Sequence, residues 1–337
     1  MSAAPARVLI RGGGVSAATA ARLLSGEGVP LTGAGDLVRS PAPVIMLSDP
    51  ALALLRDIFG RADLFAGRPR IERRIVAWGG GEPVAPPHGA IIVTGSDIAA
   101  ELGTHRLPPD DGKASFTING APPFPDGALR RFGAREAVAA TVELMPEADG
   151  HACYIEATAR GWLFLIPQGV GTAWLLGVGG TPDALLGPSR LVAAQVRKLG
   201  PVVARFETAP RMIECLAGDD WIACGTSAIA FDPICGDGTA QAAREAILAA
   251  AVLVAIRDGG DRKALLDHYQ SMLIAAMRRH LQVSLPFYRS GGISPWWRAQ
   301  ADALAQGHAW CTARLATMPE PRFLLRGTRL VPREEAA

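Results

Sequence analysis

The sequence predicts an α/β protein with a parallel, nucleotide-type sheet, an inserted antiparallel β-sheet and a helical C-terminal segment. Three observations predict this class. Residues 8–24 (VLIRGGGVSAATAARLL) pass from a short apolar run through three glycines into an alanine-rich helical segment. Residues 136–178 contain short strand-like runs separated by glycine turns, which is typical of antiparallel sheet. Residues 239–281 carry two long helical patterns after a second glycine turn.

The first glycine turn has the order strand, turn, helix with which a Rossmann unit begins. Gly12 permits the tight turn, Gly13 follows it, and Gly14 lets the backbone approach a pyrophosphate. Ala17 stands where a third glycine often sits and keeps the helix close to the strand. The helix N-terminus offers free N–H groups and the positive end of its dipole to phosphates. The order of elements favours a dinucleotide site over a glycine-rich loop without a ligand.

The end of the second strand departs from that pattern. A nucleotide-binding unit usually ends this strand with an acid that holds the ribose hydroxyls. The predicted strand, residues 29–32, runs instead into Gly33, Ala34 and Gly35, and Asp36 comes late. The sequence therefore predicts that this ribose contact is missing.

Length and composition limit the number of domains and the classes of partner. The 337 residues, 49% hydrophobic and 20% charged, allow two domains or one large domain with insertions. A net charge of +2 gives no argument for a nucleic-acid or membrane partner, and the longest apolar run, residues 246–256, is short for a membrane span. Five cysteines without a CxxC pair disfavour a disulfide framework or a structural metal site. The chain opens directly into the first strand without a signal peptide, so we expect a cytoplasmic protein.

The next segments alternate between strands and helices. Residues 44–47 predict a strand, and Asp49 with Pro50 predicts the capped start of a helix over residues 51–59. Residues 71–78 alternate charged and apolar side chains and predict another strand. Residues 90–94 form a continuous apolar run, which needs cover on both faces, so we expect this strand to return to the nucleotide-type sheet.

The middle of the chain predicts an antiparallel sheet followed by helices. The predicted strands cover residues 115–118, 136–144, 154–158, 161–167, 172–178, 211–215 and 221–224. A helix is expected within residues 182–199. Tyr288, Trp296, Trp297 and Trp310 fall on expected C-terminal helices, where they either wall a pocket or pack between helices.

A second glycine turn carries the more specific signal. Residues 221–250 contain a strand (WIAC), a loop, a Gly-x-Gly turn and an alanine-rich helix from about Thr239. Together with the first turn, this stretch resembles the flavoprotein monooxygenases and flavin-dependent halogenases that share the hydroxybenzoate-hydroxylase fold. The matching residues are Gly225, Phe231, Asp232, Pro233, Gly236 and Gly238. The resemblance covers most of the chain.

The resemblance implies a division into domains. A Rossmann-like FAD-binding domain of the GR2 type would contain residues 1–40, 88–115 and 211–285. A β-sheet substrate domain would contain residues 41–87 and 116–210. Residues 286–337 would form the helical C-terminal segment.

The resemblance also implies a function: an FAD-dependent monooxygenase that hydroxylates an aromatic or electron-rich substrate, small or peptide-borne, through a flavin hydroperoxide. A separate flavin reductase could supply the electrons. Pro233 would line the ring face, and N–H groups from Cys235 to Thr239 would stabilise the reduced ring; Cys235 could equally be an ordinary buried residue. The implied cofactor residues are Gly12, Gly13, Gly14, Ala17, Gly225, Thr226, Asp232, Pro233, Gly236, Asp237, Gly238 and Thr239.

Three departures keep other functions open. The acid after Thr32 is missing, and the family's Gly-Asp is Gly225-Thr226 here.

The stretch GWLFLIP, residues 161–167, is similar to the Trp-x-Trp-x-Ile-Pro signature of halogenases, with Phe164 replacing the second Trp. The halogenase lysine has no evident counterpart, and the chain's lysines are Lys113, Lys198 and Lys263. The alternatives are therefore a binding or partner protein with weak or no FAD binding and, less favoured, a halogenase. No general base is identifiable among the scattered histidines.

Overall fold

The computed structural model describes residues 7–34, 42–103, 107–235 and 238–333. The helices are α1 (Gly14–Gly26), α2 (Asp49–Phe59), α3 (Gly95–Leu102), α4 (Pro182–Leu186), α5 (Gly238–Arg257), α6 (Arg262–Ser290) and α7 (Pro295–Ala316). The strands are β1 (Val8–Arg11), β2 (Leu31–Ala34), β3 (Ile45–Ser48), β4 (Arg70–Ala77), β5 (Pro87–Val93), β6 (Phe116–Asn119), β7 (Leu129–Arg131), β8 (Glu136–Leu144), β9 (Ala152–Thr158), β10 (Gly161–Gly169), β11 (Thr172–Val178), β12 (Val196–Glu207), β13 (Arg211–Ile213), β14 (Ala217–Gly218), β15 (Trp221–Ala223), β16 (Ile229–Ala230), β17 (Phe323–Arg326) and β18 (Arg329–Pro332).

A five-stranded sheet in the order β14-β15-β6-β1-β2 forms the nucleotide-type part of the molecule. Strand β1 pairs in parallel with β2 and β6, and β15 pairs in parallel with β6. Val8 and Ile10 are buried in the core that this sheet shares with α5. Among the helices of the described residues, α5 alone is long and apolar enough to span a membrane, but most of it is buried inside the fold. The predicted α/β class with a helical C-terminal region is confirmed.

An eight-stranded sheet in the order β12-β8-β11-β10-β9-β4-β5-β3 forms the second layer. Its pairs are antiparallel except for β4 and β9, which run in parallel. One face, with Leu163 and Leu175, packs on Leu185 and Val192 of the segment that follows β11. The other face presents Trp162 to the C-terminal helices, where its Nε1 donates a hydrogen bond to the Tyr288 hydroxyl. Two small sheets, β16-β13-β7 and the hairpin β17-β18, complete the fold.

Two strands lie in a different sheet from the one the sequence predicts. The apolar strand at residues 90–94 does not return to the parallel sheet, because it is the end of β5 and pairs antiparallel with β3 and β4. Conversely, the strand predicted over residues 115–118, expected with the antiparallel sheet, is β6 and pairs in parallel with β1. An apolar run shows that a strand is covered on both faces and does not say by which sheet, which is why both assignments were wrong. The residue limits of the predicted domains stay a prediction.

Three local expectations also differ from the structure. Helix α2 is capped by Ser48, whose Oγ accepts from the Ala51 N–H, while Asp49 forms an ion pair with Arg70. The helix expected within residues 182–199 is limited to the five residues of α4, and the chain then enters β12. The C-terminal segment is helical only through α7 and ends in the hairpin of β17 and β18.

The segment between α4 and β12 is held by one buried carboxylate. Glu156 of β9 accepts hydrogen bonds from the backbone N–H groups of Arg190 (2.8 Å), Leu191 (3.0 Å) and Val192 (2.9 Å). The Ser189 hydroxyl donates a fourth bond to it. These donors suit a carboxylate, which only accepts hydrogen bonds. The tertiary contact therefore replaces helical hydrogen bonding in this segment.

We expect Glu156→Gln to destabilise the protein by about 2 kcal/mol, because the amide turns one acceptor into a donor that faces other donors. Urea unfolding of both proteins at pH 7 measures this loss. The matched control is Glu143→Gln, since Glu143 forms only half-exposed ion pairs with Arg197 and Lys198 and its substitution should cost well under 1 kcal/mol. Equal losses in the two variants would contradict the role given to Glu156.

Candidate functional site

The first glycine turn and Gly225 of the second motif lie together at the carboxyl ends of the parallel strands β1, β6 and β15. The first turn follows β1, Gly120 follows β6 and Gly225 comes directly after Cys224 at the end of β15. A Cβ atom built on Gly225 would lie 2.3 Å from Oγ of Ser16, in the first turns of α1. A Cβ on Gly120 would lie 3.9 Å from the same oxygen. The early and late motifs, more than 200 residues apart in sequence, are thus in contact.

The first turn leaves the start of α1 open. Gly12 and Gly14 have φ values of +89° and +82°, a region that favours glycine. Gly12 packs against Ala121, since a Cβ there would lie 2.9 Å from the Ala121 Cβ, whereas no described heavy atom lies within 4 Å of the same position on Gly14. Gly13 caps α1 without a side-chain bond, and the first turn has no acidic residue. The N-terminal N–H groups of α1 therefore face space that an anion can occupy.

The described residues of β2 include no acid, and the segment around Pro108 and Asp110 lies beside its end. The Gly33 N–H donates to the Pro108 carbonyl at 2.8 Å, and the Asp110 N–H donates to the Gly33 carbonyl at 3.2 Å. A Cβ on Gly33 would lie 3.0 Å from the Leu107 Cβ, so this strand end is closely covered. Asp36 lies outside the described residues.

The described residues of the second motif contribute glycine main chain and the hydroxyls of Thr226 and Thr239. Gly225 has a φ of +83°, and Thr226 beside it is exposed. Gly238 begins α5 and, like Gly14, has no described heavy atom within 4 Å of a Cβ position; Thr239 follows it and is half-buried. Gly236 and Asp237 lie outside the described residues.

A buried carboxyl group binds the backbone of Gly225. Glu245 of α5 accepts from the Gly225 N–H at 2.8 Å and from Nε2 of Gln241 at 3.1 Å. Burial raises the pKa of Glu245 to about 8, with the two hydrogen bonds opposing the shift. Burial likewise raises the pKa of the neighbouring Cys224 thiol to about 12. The wall behind the turn is therefore uncharged at neutral pH for the most part.

Asp232 directs its carboxylate into the protein core. Its Oδ2 lies 2.9 Å from Nη2 of Arg135 and accepts a 2.8 Å hydrogen bond from the Tyr288 hydroxyl. Its Oδ1 accepts from the Ile234 N–H at 3.0 Å. Both side chains of the ion pair are fully buried. Asp232 can therefore shape a cofactor site through the turn that follows it, rather than through its own carboxylate.

The turn after Asp232 brings Pro233 and Cys235 to the start of α5. The Cys235 thiol lies 3.3 Å from the Ser284 hydroxyl, and burial is the main cause that raises its pKa. Nε2 of His280 accepts from the Asp232 N–H at 2.8 Å, and its ring stacks on Phe231 at 4.3 Å. Burial lowers the pKa of His280 to about 4, so this ring is neutral. Cys235 therefore has the surroundings of an ordinary buried thiol; its position beside a flavin stays a prediction.

The tryptophans of α7 serve packing. Trp297 is fully buried, and its Nε1 donates to the Thr158 carbonyl at 2.9 Å. Its ring contacts Trp78 and Trp296 edge to face, with centroid distances of 5.5 and 4.8 Å. Of the two possibilities that the sequence left open, packing between helix and sheet accounts for Trp297.

Sequence reasoning missed Arg135 and Glu245. Glu245 gave a usable signal, because an acid inside an alanine-rich apolar helix has to find a partner or a proton. Arg135 gave none: it stands among charged and small residues, and its burial follows from the packing of Tyr288, over whose ring its guanidinium lies at 4.4 Å.

Comparisons with known proteins address the fold. Neither a protein-family model nor a curated protein matches the sequence. Among solved structures, the peptidyl tryptophan dihydroxylase QhpG, essential for tryptophylquinone cofactor biogenesis, aligns with a TM-score of 0.70 at 17% identity over 98% of this chain and 86% of its own. The fold is that of flavin-dependent oxygenases and halogenases.

Two further structures of this kind are similar. The flavin-dependent halogenase CmlS aligns with a TM-score of 0.70 at 16% identity, over 94% of this chain and 72% of its own. Klebsiella pneumoniae HpxO, solved with FAD and uric acid, aligns with a TM-score of 0.62 at 15% identity, over 93% of this chain and 97% of its own. The flavoprotein fold that the resemblance implies is confirmed by these alignments, which span nearly the whole chain.

The protonated carboxyl group predicts a pH-dependent stability. Folding raises the pKa of Glu245 from an ordinary 4.5 to about 8, so between these values the folded protein keeps a proton that the unfolded chain has released. Stability should therefore fall as pH rises from 4.5 to about 8. Glu245→Gln keeps a neutral acceptor for Gly225 and should flatten this dependence, gaining on the order of 1–3 kcal/mol over wild type at high pH.

Urea unfolding at a series of pH values from 5 to about 9 measures this difference. Glu82→Gln, at an exposed position, is the control and should leave the wild-type profile unchanged. Parallel profiles for Glu245→Gln and wild type would show that Glu245 is ionised in the folded protein.

Proposed function

We propose that this protein is an FAD-dependent monooxygenase that hydroxylates an aromatic or similarly electron-rich substrate, small or peptide-borne, in the cytoplasm. One observation supports this most: Gly225, in the second motif, contacts Ser16 in the first turns of α1 at the carboxyl edge of the parallel sheet, and no described heavy atom lies within 4 Å of a Cβ position on Gly14 or Gly238. A crevice at the carboxyl ends of parallel strands is where open α/β sheets bind their ligands.

The residues present fit FAD at two points. The uncapped N–H groups at the start of α1, beside Gly14, suit the pyrophosphate. The start of α5, beside Gly238, suits the edge of the flavin ring that becomes negative on reduction. FAD, when bound, supplies the electrons that activate dioxygen.

The surrounding chain fixes the second of these points. Asp232 fixes the turn that contains Pro233, because its carboxylate accepts a hydrogen bond from the Ile234 N–H. The carboxylate is itself positioned by an ion pair with Arg135 and a hydrogen bond from Tyr288. Glu245 holds Gly225. Because these two separate sets of contacts are buried, Gly225 and the turn at Pro233 are pre-organised, which is what an electrostatic site needs.

The fit is incomplete at the sugar positions. In the sequence Gly35 rather than an acid comes directly after β2, and Thr226 offers a neutral hydroxyl in place of a carboxylate. Losing one charged acceptor costs about 1–3 kcal/mol. We therefore infer weak FAD binding, with reduced flavin supplied by a separate reductase.

The same departures support a second candidate function, a binding or partner protein that shares the fold without tight flavin binding. Halogenation is less favoured, since Lys113, Lys198 and Lys263 are highly exposed, with side-chain exposures of 78, 72 and 83%. None of them is enclosed as a catalytic lysine would need to be.

FAD titration separates these candidates. We expect flavin fluorescence to be quenched with a micromolar dissociation constant and the flavin absorption bands to sharpen on binding. Thr226→Asp should tighten binding roughly tenfold, because a charged acceptor adds about 1.5 kcal/mol or more to a hydrogen bond. Thr226→Asn, a neutral control of the same size as Asp, should gain much less.

Substrate oxidation is then tested with chemically reduced FAD and dioxygen. If flavin fluorescence stays unchanged at protein concentrations well above micromolar, for both wild type and Thr226→Asp, the protein does not bind FAD. That result would reject the oxygenase proposal and favour the second candidate, a binding or partner protein.

A further inference from the structure

A long groove lies between α5, α6 and the β17-β18 hairpin, and the proposed reaction gives it no role. Its volume is about 870 Å³. Its walls are mainly aliphatic, with Leu248 of α5, Leu273 and Ala276 of α6 and Leu325 of the hairpin. Along α6 it extends from His268 to Val283, which at 1.5 Å per residue is about 22 Å. Met272 and Leu325 on its rim are 41 and 40% exposed.

One end of the groove carries an unpaired polar atom beside a cation. His268 is 5% exposed, and its Nδ1 has no hydrogen-bond partner among the described residues. Arg333 lies close enough to lower the pKa of His268, after burial, which is the larger cause; the ring is therefore neutral and its Nδ1 can carry the proton. Phe323 contacts the same ring edge to face at 5.5 Å. A neutral imidazole N–H beside a guanidinium suits an anionic oxygen.

The other end lies next to the turn that leads into α5, where Phe231, Cys235 and His280 line the groove. Arg279, which adjoins His280 in sequence, and Arg244 of α5 line the groove as well. The groove therefore combines an apolar trough with three lining arginines, of which Arg333 lies beside the unpaired Nδ1 of His268.

We propose that this groove binds a long-chain carboxylate, with its carboxylate at Arg333 and His268 and its chain directed toward Phe231. The volume is that of a site for one small molecule, typically 300–1,000 Å³. A peptide helix of the same length is 10–12 Å across and needs about twice this space. The three arginines of the lining select an anion, and the unpaired Nδ1 of His268 beside Arg333 selects that end of the groove for its carboxylate.

The test uses the full-length protein and two probes of equal chain length, myristate and myristyl alcohol, each displacing a fluorescent dansyl-undecanoic acid. We expect micromolar binding of myristate and at least tenfold weaker binding of the alcohol. Ala276→Trp, which fills the trough, should weaken both probes more than tenfold. Arg333→Gln should weaken myristate about tenfold and leave the alcohol unchanged.

Arg205→Gln is the matched control, because Arg205 is exposed on β12 and does not line the groove. Failure of both probes to bind, or binding that Ala276→Trp does not alter, would overturn the proposal. A dimer that dissociates on Ala276→Trp, with no probe bound, would assign the groove to a second copy of the chain and overturn it as well.

The groove shares no lining residue with the first glycine turn, but Cys235 and Glu245 line it beside the second motif. Probe binding measured with and without FAD keeps the two proposals distinguishable. A protein that binds myristate but not FAD would support the groove and reject the oxygenase. A protein that binds FAD and neither probe would do the reverse.

Discussion

The structure depends on a close approach of main chain at the carboxyl edge of the parallel sheet. Gly225 lies so near Ser16 that a methyl group at that position would overlap the serine hydroxyl, and its φ is one that other residues rarely adopt. Gly12 packs as closely on Ala121. Three strand ends can therefore converge only because no side chain stands between them, and the space left in front of Gly14 and Gly238 is a result of the same constraint.

A buried polar network keeps that edge in place. Asp232 forms an ion pair with Arg135 and accepts a hydrogen bond from Tyr288, and the Arg135 guanidinium lies over the Tyr288 ring. All three side chains are buried, which carries a large desolvation cost that these contacts have to offset. Such a network adds little to overall stability, but loss of one partner is expensive because it leaves a bare charge. Its effect is to hold the turn at Pro233 in one arrangement, whatever ligand the turn faces.

The parts that could be predicted from sequence are those with local causes. The turn at Gly12 and Gly14 is predicted by residues that are consecutive in sequence. Strands β8 and β11 end where glycines and polar residues interrupt the apolar strand pattern. Sheet membership is different, because β5 and β6 are both short apolar strands and only their distant partners separate them. The segment after α4 shows the same limit. The sequence of this segment predicts a helix, but its backbone N–H groups donate to the carboxylate of Glu156, more than 30 positions earlier. These are the N–H groups that a helix would have used.

The parallel pairing of β4 with β9 couples the folding of the eight-stranded sheet to that of the five-stranded sheet. The chain between these strands leaves the large sheet, places β6 in the centre of the small one and then returns. The β4–β9 pair of the eight-stranded sheet therefore closes a loop of more than seventy residues, and one part of that loop, β6, belongs to the five-stranded sheet. Closing such a loop is costly in entropy until distant contacts form together, so the layers assemble as one cooperative and slow unit. Neither half of this molecule could be cut out and expected to survive as an independent module.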